Sequence, residues 1–163
     1  MLIGAINYSI MKNLISIISL LFYVNVYSQS TPDPKLLIGK FDGRTPCAEL
    51  TAMLNEPERP ECIKIKWRLT LYKDAMKEGM GTYILEGSVF RGQNKLTGEW
   101  KASKGTAANP DALVYELTIP GRNNLLFQKV DDNILYFLDQ QKNLLVGSVY
   151  FSYVLNRVDP KTL

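Results

Sequence analysis

The sequence predicts an all-β fold, an antiparallel meander that forms a small closed or nearly closed, lipocalin-like β-barrel with one short helix near the N-terminus. The first reason is residues 61–73, where Ile63, Ile65, Trp67 and other apolar residues strictly alternate with polar ones. A period of two places one strand face in a core and the other in water. The second is that about nine strand-like stretches recur at intervals of roughly 8–12 residues. The third is that short hairpin-like turns join them, and closure hides the sheet edges.

The predicted elements follow the chain in order. The strand-like stretches are 36–42, 61–73, 81–87, 89–91, 96–103, 112–119, 125–130, 134–139, 144–147 and 150–158. Gly, Asn, Asp and Pro residues lie between them, as turns require. A short helix is predicted to begin at Thr45 as N-cap and Pro46 as first residue. Its inner face would carry Cys47, Leu50, Met53 and Leu54, and the Pro-punctuated loop 55–60 would end it.

The first 28 residues predict a signal peptide. Lys12 forms a short positive region, residues 14–26 are largely apolar, and small residues precede a cleavage site before Gln29. Residues 1–10 are expected either to precede a true start at Met11 or to extend the leader. The apolar run is shorter than the roughly 20 residues of a spanning helix. We therefore expect export to the periplasm or secretion, with no stable membrane anchor after cleavage. The predicted organisation is signal peptide 1–28, spacer 29–35, barrel domain 36–158 and tail 159–163.

Composition argues against several function classes. The sequence contains no histidine, which removes Ser-His-Asp and Cys-His catalysis and imidazole metal sites. Its 19 basic and 16 acidic residues leave a net charge of only +3, too small and too interspersed to indicate a nucleic acid or an anionic membrane as partner. No pair of carboxylates lies in the apolar surroundings that acid–base catalysis needs. We expect a protein that is not an enzyme and that has no resident cofactor.

The two cysteines, Cys47 and Cys62, are the candidate site residues. In an exported protein such a pair most often forms a disulfide, and this one would close a loop of about 15 residues. The alternative is a Cu(I) site formed by both thiolates and the thioether of Met53. Met76 and Met80, four residues apart, are either ordinary turn residues or a second soft-metal pair.

Two further groups of side chains have alternative interpretations. The cations Lys64, Lys66 and Arg68 share one strand face, which is either a solvated outer face or a binding stripe for an anionic partner. Seven aromatic residues are predicted to supply the barrel interior. They are Trp67, Tyr83, Trp100, Tyr115, Phe137, Tyr150 and Tyr153. An interior of this size is filled by side chains or holds one small apolar ligand.

Several short segments together resemble the N-terminal domain family of NlpE, small β-barrel domains of bacterial envelope lipoproteins. The matching segments are 43–48 (Gly-Arg-Thr-Pro-Cys-Ala), 69–72, 82–87, 97–100, 135–139 and 153–157. Their order and spacing make the resemblance cover residues 37–158, and Pro46-Cys47-Ala48 after the glycine turn is the most specific part. The second cysteine of the family's Cys-x-x-Cys pattern is replaced here by Leu50.

The resemblance implies a β-barrel linked to copper resistance and envelope-stress sensing. We accordingly expect an exported, non-enzymatic binding or sensing module of the cell envelope, whose partner is an envelope protein or a small ligand. A lipocalin-like carrier of a small hydrophobic ligand is the alternative.

Overall fold

A computed structural model of the chain describes residues 36–90 and 95–158. Within them, eight strands form a closed antiparallel barrel in which each strand pairs with the next and β8 pairs back with β1. The strands are β1 (Leu37–Pro46), β2 (Lys64–Lys73), β3 (Met80–Gly87), β4 (Leu96–Lys104), β5 (Leu113–Leu117), β6 (Leu125–Lys129), β7 (Ile134–Leu138) and β8 (Val154–Arg157). One helix, α1 (Ala48–Met53), lies between β1 and β2. The predicted fold class is confirmed.

Some predictions fall outside the described residues. They are the signal peptide 1–28, the spacer 29–35, the tail 159–163 and the turn after Phe90. In the part of the chain that the structure describes, no helix has the length and apolar character needed to cross a membrane.

The barrel interior is filled by side chains from the inward face of every strand. On β2, Ile65, Trp67, Leu69 and Leu71 are buried, while Lys64, Lys66 and Arg68 are exposed. Phe137 lies among three other rings, with centroid distances of 4.5 Å to Phe127, 5.5 Å to Trp67 and 6.5 Å to Tyr153. Small eight-stranded barrels are commonly filled in this way.

The polar atoms of three inner aromatic residues, Trp67, Tyr83 and Trp100, have hydrogen-bond partners. Trp67 Nε1 donates to Thr45 Oγ1 at 2.9 Å, and the Tyr83 hydroxyl donates to the Thr118 carbonyl at 2.7 Å. Trp100 Nε1 donates to the carbonyl of Tyr72 at 2.9 Å. Buried Tyr and Trp residues require such partners, because an unpaired N–H or O–H in a core is costly.

The predicted helix start is wrong. Thr45 and Pro46 continue β1, and the helix begins at Ala48 with Cys47 in the N-cap position. The Thr45 hydroxyl does not cap the helix, because it accepts the indole hydrogen bond of Trp67 inside the barrel. The predicted inner face is nevertheless confirmed, since Cys47, Leu50 and Leu54 are buried and Met53 packs against the core.

Two predicted strands are also wrong. Residues 88–90 form a turn after β3 that buries Val89 and Phe90, and the Phe90 N–H donates to the Gly87 carbonyl at 3.1 Å. Residues 144–147 contain only one isolated bridge, from Leu144 to Leu138. The last predicted strand, 150–158, is shorter in the structure, where β8 covers only Val154–Arg157. A turn centred on residues 148–151 precedes it. Tyr150 lies in that turn and is 83% exposed, so it does not belong to the interior.

The pairing of β8 with β1 contains the fewest residue pairs of any two adjacent strands in the barrel. Only two residue pairs join these strands, Phe41 with Arg157 and Asp42 with Asn156. Further along β1 the chain approaches β8 closely at Gly43, where an added Cβ would lie 2.4 Å from the Val154 carbonyl oxygen. Glycine is required there because backbone atoms of the neighbouring strand occupy the space of a side chain.

Candidate functional site: a charged groove on the outer wall

The outer wall over β8, β1, β2 and β3 contains an open groove of about 720 Å³. Its charged and polar lining consists of outward-facing residues of these four strands. They are Asp42, Arg44, Lys66, Arg68, Glu86 and Asn156. Because side chains alternate faces along a strand, the same alternation that fills the barrel interior produces this charged wall.

Strand register arranges these residues in two rows across the sheet. Asp42 lies directly opposite Arg68, which lies opposite Glu86, and Arg44 lies directly opposite Lys66. Directly opposed residues of antiparallel strands hold their Cβ atoms about 4.5–5.5 Å apart, so each row forms a set of interacting side chains.

Between the two rows the backbone forms the floor of the groove. The intervening row is Gly43, Trp67 and Gly87, which register places side by side. The Trp67 side chain points into the barrel, and an added Cβ on Gly87 would lie 2.8 Å from its ring. The two charged rows therefore flank a floor that carries no outward side chain.

In the first row Arg68 forms a bidentate ion pair with Asp42, and Glu86 leaves the row with one net negative charge. Arg68 donates from Nε to Asp42 Oδ1 at 2.9 Å and from its terminal nitrogen to Oδ2 at 2.7 Å. These hydrogen bonds and the negative charge of Asp42 raise the pKa of Arg68 above its ordinary value. Asp42 thereby fixes the position of the guanidinium and cancels most of its charge.

The second row has no such compensation. Among the described residues, no carboxylate forms an ion pair with Arg44 or Lys66. The backbone N–H of Lys66 donates to Ser88 Oγ at 3.0 Å. This hydrogen bond links β2 to the turn that follows β3 at the edge of the groove. Two like charges placed directly opposite each other on a sheet repel, and both remain available to an anion.

The prediction that Lys64, Lys66 and Arg68 share an outer face is confirmed, but they differ in their surroundings. Only Lys66 is without a charged or aromatic partner among the described residues, since the Lys64 ammonium lies 5.6 Å from the ring centroid of Phe151. Glu86 lies opposite Arg68 in register. The ion pair of Arg68, however, is formed with Asp42.

Sequence reasoning missed Asp42 and Arg44 as members of this site. The sequence predicts a first strand, 36–42, that ends at the turn residue Gly43. The structure continues β1 through Gly43 to Pro46, so Asp42 and Arg44 fall on the same outward face. A strand extended through that glycine would have placed both residues correctly.

The sulfur atoms of Cys47 and Cys62 lie at disulfide distance, with their Cα atoms 5.9 Å apart. The pair joins the N-cap of α1 to the segment that leads into β2, and Cys47 is buried. Among the described residues, no group of three or more His, Cys, Asp or Glu side chains is arranged to hold a metal. A copper site on these thiolates stays a prediction, and it requires the bridge to be reduced.

Met76 and Met80 lie at the β2–β3 turn, and both are exposed. Asp74 organises this turn, because its Oδ1 accepts from the backbone N–H of Met76 at 2.7 Å and of Lys77 at 3.1 Å. The turn conformation therefore has an explanation that needs no metal.

Comparison with family models, with curated proteins and with solved structures finds no match to this chain.

Proposed function

We propose that this chain is an exported, non-enzymatic binding module of the cell envelope whose outer groove binds an anionic group of a partner protein or ligand. The observation that supports this most directly is the uncompensated pair of Arg44 and Lys66, opposed in register and both exposed. A carboxylate or phosphate seated between them would relieve their repulsion and form charge-assisted hydrogen bonds.

The neighbouring row supports the same proposal in a different way. Asp42 holds the Arg68 guanidinium in one geometry, so the groove has a fixed boundary beside its two available cations. Only the Arg68 side chain is oriented in this way, so the lower entropy cost of binding applies at the boundary of the groove and not at Arg44 and Lys66.

The alternative, a lipocalin-like carrier, receives less support from the interior. The rings of Trp67, Phe127, Phe137 and Tyr153 pack against one another across the barrel, in the space that a carried ligand would occupy. A sensing role in envelope stress rests on the resemblance to NlpE alone, and we propose it on that basis.

Retention on an anionic matrix tests the proposal. The double variant Arg44→Gln/Lys66→Gln is compared with Lys77→Gln/Lys104→Gln, which removes the same charge at exposed positions away from the groove. We expect the groove variant to elute at clearly lower salt than both the wild type and the control variant. Equal elution of the two variants would show that net charge alone governs retention, and the groove proposal would then be wrong.

A further inference from the structure

A turn beside the groove presents apolar side chains to solvent. Val146 is 87% exposed, Val149 92% and Tyr150 83%. Together with residues 147, 148 and 151 they form a segment, 146–151, that we call the apolar tip. It leads directly into β8, and its neighbours Ser152 and Val154 line the groove.

The apolar tip is an ordered turn, because its backbone hydrogen bonds are satisfied internally. The Ser148 N–H donates to the Phe151 carbonyl at 2.8 Å. Ser148 Oγ accepts from the N–H groups of both Tyr150 and Phe151, each at 3.2 Å. Gly147 allows the turn to close, since an added Cβ would lie 2.4 Å from the Phe151 carbonyl oxygen. Val149 and Tyr150 are thus exposed within a turn of defined backbone conformation.

Positively charged side chains lie near the apolar tip on the side of the groove. The Lys64 ammonium lies 5.6 Å from the centroid of the Phe151 ring, and the adjacent Ile63 is 76% exposed. The next outward row along β1 and β2 is Arg44 with Lys66. The sequence from residue 140 to residue 158 contains no Asp or Glu.

We propose that the apolar tip docks this protein on a lipid bilayer that carries anionic headgroups. Val149 and Tyr150 enter the interfacial region, and Lys64, Arg44 and Lys66 contact the headgroup charges. This rests on the proposed function, because it assigns the anion of the groove to a membrane surface. Apolar side chains combined with nearby cations are what peripheral membrane binding requires.

The shape of the apolar tip favours a bilayer over a protein partner. A stable protein–protein interface buries about 800 Å² on each side, with a complementary apolar centre. Here Val149 and Tyr150 are adjacent in one short turn, and together with Val146 they are among the most exposed apolar side chains of the described residues. A tyrosine ring with a polar hydroxyl also suits the boundary between water and acyl chains.

Vesicle sedimentation tests the proposal. The probes are phosphatidylcholine vesicles with and without phosphatidylglycerol. The variant Val149→Ser/Tyr150→Ser is compared with Met76→Ser, which removes another exposed apolar side chain from the turn at the other end of β2. We expect the wild type and Met76→Ser to bind only the anionic vesicles, and the double variant to bind at least about tenfold more weakly.

Anionic-matrix retention separates this proposal from the function on which it rests. The double variant of the apolar tip should be retained like the wild type, because its groove cations are intact. If the double variant binds anionic vesicles as tightly as the wild type does, the docking role of the apolar tip is overturned. Absence of vesicle binding with normal matrix retention would also overturn it, and would leave an acidic protein or soluble ligand as the partner of the groove.

Discussion

The same substitution, Thr→Val, is expected to have opposite effects on the free energy of unfolding at two buried threonines. Thr45 is 0% exposed, and its hydroxyl accepts the hydrogen bond of Trp67 Nε1 at 2.9 Å. Thr51, in α1, is 4% exposed, and its hydroxyl oxygen has no hydrogen-bond partner among the described residues. Valine has almost the same shape as threonine, so Thr→Val exchanges a hydroxyl for a methyl group with little change in packing.

At Thr45 the substitution leaves the indole N–H of Trp67 buried without an acceptor. The cost of an unsatisfied buried donor is about 1–3 kcal/mol. At Thr51 the substitution removes an oxygen that is already unpaired, and Val and Thr have similar helix propensities. We expect Thr45→Val to lower the free energy of unfolding by about 1–3 kcal/mol and Thr51→Val to leave it unchanged or raise it by up to about 1 kcal/mol.

Urea unfolding followed by far-ultraviolet circular dichroism measures both variants under identical conditions. Trp67 fluorescence should shift only in Thr45→Val, since Thr45 is its hydrogen-bond partner. Each variant serves as the isosteric control for the other. The reasoning is refuted if Thr45→Val is as stable as the wild type, or if Thr51→Val loses as much stability as Thr45→Val.

Three further outcomes follow from particular contacts. The Cys47–Cys62 bridge closes a separation of 15 residues, so reduction should cost roughly 3 kcal/mol of unfolding free energy. Intact mass after non-reducing alkylation should show no free thiol and no adduct with added Cu(I). Two alkylated thiols and a copper adduct that disappears in Cys47→Ser would instead support the metal site. Burial raises the pKa of Tyr83 to about 12, against about 10 when unfolded. The neutral form of Tyr83 therefore contributes stability in full below pH 10, and that contribution is lost as the pH rises from about 10 to about 12. Over this pH range Tyr83→Phe should lose less unfolding free energy than the wild type. Equal losses in urea titrations would contradict the assignment. Asp42→Asn should free the Arg68 guanidinium for an external anion and delay elution from an anionic matrix, whereas elution at or before the wild-type position would contradict the neutralising role of Asp42.

The sequence by itself determined the fold class and the two faces of the main strands. In β2 a strict period of two places Ile65 and Trp67 inside and Lys66 and Arg68 outside, because alternation is a property of one strand. The cysteine pair and the inner face of α1 were also accessible, since both depend on residues close in sequence.

The local patterns failed where a side-chain hydrogen bond competes with the predicted element. Thr45 looked like a helix cap, but a buried indole N–H in β2 takes its hydroxyl. Tyr150 looked like a core residue of a strand, but Ser148 holds it in a turn instead. In each case one hydrogen bond, invisible in the apolar pattern, decided the outcome.

Only the tertiary structure decided the composition of the groove. Arg44 faces Lys66, and Asp42 faces Arg68, because β1 and β2 pair in one register across the helix and loop that separate them. That register shifts near one end of β1, between Leu37 and Gly39, and it results from the summed cross-strand contacts of both strands. Alternation determines which face a residue occupies, whereas register determines which charges meet on that face, and register is a property of two strands together.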